Sequence, residues 1–298
     1  MELVRRFGKD AAWLRERTGI AELRRLGPAE TVADLAVTAA RAALADSGQT
    51  VVDLVVVASC SMKPGPQLSC EGPGSSLAAQ VAMSVAPGAL VLDLNAACAG
   101  FVYALSAAAD LIRAGTVGSA LVIGAEQMST LIDPDDLGTS ILFADGAGAA
   151  VLSTCSASED GFGTAAYYSD GTSCDVLVIP PGSTTLSMDG QAVFRWAVST
   201  VPDVIEQALK SAGICASDVE VFIPHQANAR ITDAIRRRAG LDHTITADNV
   251  RLSGNTSAAS IPIALDALRM QEDIAGKLAV IVGFGAGLSC AAQVLRLP

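Results

Sequence analysis

Aromatic residues are scarce, at 4% of 298 residues, and histidine occurs only twice. Seven cysteines are present, but none forms a CxxC pair and none clusters with a histidine at metal-ligand spacing. A disulfide scaffold and a zinc site are therefore both unexpected. Basic charge is also short: 20 Lys and Arg stand against 31 Asp and Glu, a net charge of −11. General nucleic-acid binding needs a positive field, so this balance argues against it. No apolar run reaches the length of a bilayer span without a charge or a breaker, and the opening MELVRRFGKDAAW has no apolar signal-type core. The expectation is a soluble protein of the reducing cytoplasm that uses neither a membrane nor nucleic acid.

Small apolar residues are plentiful. With 51% hydrophobic content and few rings, Ala, Val, Leu and Gly must build the core. Such side chains let helices and strands approach closely, which suits a layered α/β protein. Residues 30–48 carry helical periodicity and end near Gly48. The run VVDLVVVAS (51–59) reads as a strand covered on both faces. A loop with three Pro and three Gly follows at 61–74, then a helix over 75–85. Further along come a buried strand ALVLDLN (89–95), a helix over 99–115 and a strand SALVIGAE (119–126). Residues 148–180 are richer in turns and short strands, with antiparallel pieces expected. A helix from Pro202 to Gly213 then leads into the strand VEVFIPH (219–225). Helices over 229–240 and 256–268, the strand 277–285 and a last strand AAQVLRL (291–297) complete the order. The segment ending at Cys60 resembles the one ending at His225, and 118–129 resembles 276–289, an offset of roughly 160 residues. We infer an internal duplication giving two similar α/β halves packed together.

Three strand-to-helix junctions carry reactive side chains. Cys98 in LDLNAACAGF follows a strand and opens a helix, where free N–H groups and the helix field favour a thiolate and should lower the thiol pKa. Cysteine suits acyl transfer because a thioester forms and discharges readily. The ordinary alternative, a buried cysteine acting as a small hydrophobe, is kept for Cys60, Cys70, Cys155, Cys174, Cys215 and Cys290. His225 ends a strand, the usual position of functional groups in α/β sheets, whereas His243 reads as a surface turn residue. Gly254-Asn255-Thr256 precedes a helix and, by itself, reads as a cap before it reads as a functional group. VGFGAG (282–287) has GxGxG spacing and leads into a strand, so a dinucleotide-binding fingerprint is excluded.

Taken in order, NAACAG, PHQANARI, GNTSAAS and GFGAGLS resemble the 3-oxoacyl-acyl-carrier-protein synthase III family of the thiolase superfamily. WLRERTGI (13–20), FADGAGAAVL (143–152) and MDGQAVFRWAV (188–198) extend the resemblance over nearly the whole chain. It implies a five-layered α-β-α-β-α fold of two thiolase-like halves, 1–155 and 156–298. It implies that Cys98 accepts an acyl group and that His225 and Asn255 hold the carbonyl of a malonyl unit as it loses CO₂. The backbone N–H groups of Cys98 and Ala286 would form the oxyanion hole, with Ala286 standing where the family has Gly. Phe284 would lie beside the cysteine, and Trp13, Arg17 and Asn228 would bind substrate, the first two gripping coenzyme A. Arg195, Arg230 and Arg236 to Arg238 would dock an acidic carrier protein against the chain's own negative field. The implied partners are an acyl-coenzyme A or acyl-carrier-protein donor, a malonyl-carrier-protein acceptor and a second copy of the chain; no cofactor or metal is implied.

Three departures stand out. The chain starts almost at Trp13, Leu137 occupies a position where relatives using coenzyme A often carry Arg, and the 61–74 loop is long. The first implies an upstream start or a missing first strand, Leu137 points toward a carrier-bound or unusual acyl donor, and the long loop leaves the family's chain-length preference untransferred. The nearest alternative is an acyltransferase of the same fold that passes the acyl group to an alcohol or amine. A non-catalytic binding protein would be expected to have lost Cys98.

Overall fold

The structure, a computed structural model, describes residues 2–61, 76–156 and 161–298. Most of the Pro/Gly-rich loop, with Cys70, lies outside the described residues. In chain order the elements are α1 (Glu2–Arg5), α2 (Ala11–Thr18), α3 (Val32–Ser47), β1 (Leu54–Ala58), α4 (Leu77–Val85), β2 (Leu90–Leu94), α5 (Gly100–Arg113), β3 (Ser119–Gln127), α6 (Leu137–Ser140) and β4 (Asp145–Ser153). There follow β5 (Ala166–Ser169), β6 (Leu177–Val178), β7 (Ser187–Met188), α7 (Gly190–Ser211), β8 (Val221–Pro224), α8 (Ala229–Arg238), β9 (Ile245–Thr246), α9 (Val250–Ser253), α10 (Ser260–Arg269), β10 (Leu278–Gly285) and β11 (Ser289–Arg296).

Two mixed sheets organise these elements. The first runs β2-β1-β3-β4 and the second β5-β11-β10-β8-β9. In the first, β1 is parallel to β2 and β3, while β4 returns antiparallel to β3. In the second, β8 is parallel to β9 and β10, and β11 returns antiparallel to β10. The strand β5 adds to β11, so antiparallel pieces do occur in the turn-rich segment.

The core explains the layering. Val55, Val57, Leu121 and Ile123 on one face of the first sheet pack against α3 and α4. Leu54, Val56 and Val122 on the opposite face meet α5 and α10, whose other sides meet Val221, Ile223, Ala279 and Ile281 of the second sheet. The far face of that sheet, with Phe222, Val280 and Val282, is covered by α7 and α8. The result is five layers, α-β-α-β-α, of the thiolase type. Both central strand sets are covered on both faces, which is why they read as continuous apolar runs.

Helix ends follow their local chemistry. Thr31 and Asp34 form a reciprocal capping box on α3, and Gly48 closes the helix at φ 67°. Two expectations are corrected. β2 was read as buried, yet Leu90, Val91 and Leu92 are 58%, 46% and 39% exposed because β2 is the edge strand of its sheet. The helix expected to begin at Pro202 begins at Gly190 instead, capped by Asp189, and passes through Pro202 while burying Ala197, Val201, Ile205 and Ala208.

Candidate active site

Cys98 sits on a short turn, residues 97–99, between β2 and α5. Ala97 takes φ +46°, a left-handed conformation that a β-carbon disfavours. This turn packs against glycines of β10. A Cβ at Gly283 would lie 2.8 Å from the Ala99 Cα, and one at Gly285 would lie 2.9 Å from the Cys98 Cβ and 3.2 Å from its Sγ. The two glycines therefore set the space beside the thiol.

The thiol does not have the lowered pKa expected from its helix position. Burial pushes it up to about 12, against hydrogen bonding with the Ser257 side chain and the cysteine's own backbone N–H, while the Glu126 carboxylate adds to the rise. At neutral pH Cys98 is thus protonated, and its proton must leave as the sulfur attacks.

His225 continues from β8, its N–H donating to Val282 O at 2.7 Å. Its ring stands edge-on to Phe284 with centroids 5.2 Å apart. Burial lowers its pKa to about 3, so the imidazole is neutral at physiological pH. Nδ1 lies 2.6 Å from the Ser260 hydroxyl, which also accepts the Gln226 N–H at 3.3 Å. When Ser260 gives its proton to Nδ1, the resulting tautomer leaves Nε2–H as the ring's donor.

Asn255 is held by backbone pairing to the 142–144 segment: its N–H donates to Leu142 O and its carbonyl accepts from Ala144 N–H, both at 2.8 Å. Its Oδ1 accepts the Ser257 N–H at 2.9 Å. That bond takes the amide oxygen inward and leaves the NH₂ group available.

Cys98, His225 and Asn255 converge on one cavity of about 690 Å³. Trp13, Arg17, Asn228, Phe284, Arg195 and Arg230 line the same space, as does Leu137. Trp13 is fixed by an N–H bond to Asp10 at 2.7 Å, and Lys9 Nζ sits 5.3 Å from its ring centroid. Asn228 caps α8 through its side chain, accepting the Arg230 N–H at 2.9 Å. Ala286 lines a second cavity of about 320 Å³ that shares Cys98, Phe143 and Leu177 with the first and is walled by Leu131, Ile179 and Leu186. Cys98 thus stands at the junction of two spaces.

Arg236 is not brought to the cavity. It turns to Asp242 at 3.4 Å and Asp233 at 3.8 Å. His243 is an exposed turn residue, as expected, with Nε2 3.0 Å from Val219 O. Sequence reasoning missed four residues of the site: Cys60, Glu126, Ser257 and Ser260. Cys60 Sγ lies 3.5 Å from both the Ser257 hydroxyl and Glu126. A carboxylate ending the apolar run SALVIGAE was the one visible signal.

A five-layered thiolase-type fold with a buried thiol at the head of a central helix defines a condensing acyltransferase. Residues 92–171 match the family described as 3-oxoacyl-[acyl-carrier-protein (ACP)] synthase III, and residues 209–297 match its C-terminal part. The chain is 38% identical to beta-ketoacyl-[acyl-carrier-protein] synthase III 2 of Streptomyces coelicolor over 290 residues, covering 97% of this chain and 86% of that one. Among solved structures it is similar to the 3-oxoacyl-(acyl carrier protein) synthase III of Pseudomonas aeruginosa PAO1, with TM-score 0.91, 38% identity and coverage of 99% and 92% of the two chains. It is also similar to the priming β-ketosynthase of the R1128 polyketide pathway, with TM-score 0.89, 38% identity and coverage of 98% and 89%. The chain belongs to the 3-oxoacyl-acyl-carrier-protein synthase III family.

Proposed function

We propose that this enzyme loads an acyl group onto Cys98 and condenses it with a malonyl thioester, releasing CO₂ and a 3-oxoacyl product. The observation that carries this reading is the convergence of Cys98, His225 and Asn255 on one cavity. The Cys98 sulfur attacks the carbonyl of an acyl thioester, the donor's carbon–sulfur bond breaks, and the donor leaves as a thiol with the proton that Cys98 gives up. The backbone N–H groups of Cys98 and Ala286 hold the oxyanion. The malonyl unit then loses CO₂, and the electron pair develops as an enolate on its thioester oxygen. His225 Nε2–H and the Asn255 NH₂ donate to that oxygen, two fixed donors in a buried site. The enolate carbon attacks the acyl carbonyl, the bond to Cys98 breaks, and the thiolate takes up a proton.

Trp13, Arg17 and Asn228 line the arm of the larger cavity that would hold a coenzyme A or carrier pantetheine, and the smaller apolar cavity suits the acyl chain. Arg195 and Arg230, exposed at the rim, offer an acidic carrier protein a local basic contact. Leu137, packed among Val4, Leu14 and Ile141, brings no charge there, which favours a carrier-bound donor. The free, exposed thiols of Cys155, Cys174 and Cys215 support a reducing, cytoplasmic setting; among the described residues no helix is long and apolar enough to cross a membrane.

The matching strand orders of the two sheets support a duplication into halves 1–155 and 156–298. The apolar, exposed edge strand β2 supports a homodimer in which a second copy pairs there. Light scattering on Leu92→Lys tests the dimer: a monomer is expected, and an unchanged mass rules out this edge. For the reaction, labelled malonyl thioester is supplied to the acylated enzyme. Release of CO₂ together with a 3-oxoacyl product is expected; acyl transfer without CO₂ release would instead favour an alcohol or amine acceptor.

A further inference from the structure

Glu126, at the end of β3, is 0% exposed, and no step above uses it. Its carboxylate gathers donors from two directions. From the segment after β1 it accepts Cys60 N–H at 3.1 Å, Ser61 N–H at 3.0 Å and the Ser59 hydroxyl at 3.2 Å. From the turn after Asn255 it accepts the Ser257 hydroxyl at 2.9 Å and the Ala258 N–H at 3.4 Å. Ser257 holds φ +48°, a conformation that a β-carbon disfavours. In that conformation its N–H points at Asn255 Oδ1, 2.9 Å away.

The two sheets explain how a carboxylate comes to lie here. Gly124 on β3 and Gly283 on β10 are each met by a turn that leads into a central helix. A Cβ at Gly124 would fall 2.4 Å from Ala258 O, and one at Gly283 would fall 3.1 Å from Cys98 O. Two residues further along, β10 carries Gly285, which leaves room beside Cys98, and β3 carries Glu126, which fills the matching room beside Ala258. The same backbone position is therefore open for substrate in one half and occupied by a buried carboxylate in the other.

We propose that Glu126 is a positioning residue for the condensation step: it holds Ser257 in the left-handed conformation that turns the Asn255 amide so that its NH₂ group faces the thioester oxygen. This rests on Asn255 being an enolate donor. Glu126 touches no reacting atom and acts through Ser257. Acylation of Cys98 does not need Asn255, so loss of Glu126 separates the two half-reactions.

The test measures, for each variant, the rate of acyl-adduct formation by intact mass, CO₂ release from labelled malonyl thioester, and KM for that thioester. In Glu126→Gln, CO₂ released per adduct is expected to fall about tenfold or more, through kcat rather than KM, with the adduct still forming. Adding Ser257→Gly to Glu126→Gln should recover much of that ratio, because glycine takes positive φ without the tether; Ser257→Gly alone corrects for the lost Ser257–Cys98 bond. If Glu126→Gln does not fold, Ser257→Ala is read by the same ratio and is expected to fall likewise. An unchanged ratio in the folded variant, an equal loss of both half-reactions, or no recovery with glycine overturns the proposal. Asn255→Ala is run alongside: normal condensation there overturns the donor reading itself, whereas a dead Asn255→Ala beside a normal Glu126→Gln overturns only the role of Glu126.

Discussion

The first sheet runs β2-β1-β3-β4 and the second, leaving β5 aside, runs β9-β8-β10-β11 with the same parallel and antiparallel pairings. Each contributes a turn whose first residue has positive φ, Ala97 at +46° and Ser257 at +48°, and each turn opens a central helix. Yet the first turn carries Cys98 where the second carries Ala258, and the facing strands carry Gly285 and Glu126. The two halves share strand order and turn geometry, and side-chain identity at two positions distinguishes the junction that carries the thiol from the one that faces the buried carboxylate. A fold supplies the geometry of a site; what stands in it decides the chemistry.

The strongest way to break this comparison is to move the nucleophile. Cys98→Ala should form no acyl adduct and show no condensation by intact mass and product assay, and adding Ala258→Cys should not restore the adduct, because Glu126 fills the space beside residue 258. Exchanging the small residues sharpens it. Gly285→Ala sets a methyl 2.9 Å from the Cys98 Cβ and 3.2 Å from its Sγ, so the Cys98 turn must shift, and acylation should slow about 100-fold. Gly124→Ala sets one 2.4 Å from a backbone oxygen and should cost about 3 kcal/mol of stability, read as denaturant midpoint. His225→Ala and Asn255→Ala should each lower condensation about 100-fold with acylation kept, measured as CO₂ released per adduct.

The smallest effect is on stability. The second sheet buries an imidazole where β1 ends in Ala58. The native value of about 3 lies below the ordinary 6.5. As pH falls below 6.5 the unfolded chain binds a proton that the native state refuses, so stability is full above that pH and is lost progressively toward 3. His225→Gln should therefore narrow the difference in melting temperature between pH 7 and pH 5, and an unchanged difference would assign the acid sensitivity to other groups.

Much of the candidate site was legible because Cys98 and His225 follow strand ends, where the 2.0 and 3.6 periods change over, and both line the cavity. Asn255 was not separable from a cap until its motif was read with the others. The buried network was missed since Glu126, Ser257 and Cys60 are distant in the chain and meet only through packing. β2 was misread because an apolar run looks the same whether helices cover it or it lies bare at an edge. The thiol pKa was misjudged because a helix terminus is visible in a sequence while the depth of burial around it is not.

By itself the sequence determined the alternation of elements, the apolar faces and the small residues that allow close packing, since these depend on local period and side-chain size. Tertiary structure alone decided which strand lies at an edge, which thiol stands at the junction of two cavities, and how Glu126 reaches Asn255 through Ser257. Those depend on distances between segments far apart in the chain, and only the packing of one sheet against the other sets them.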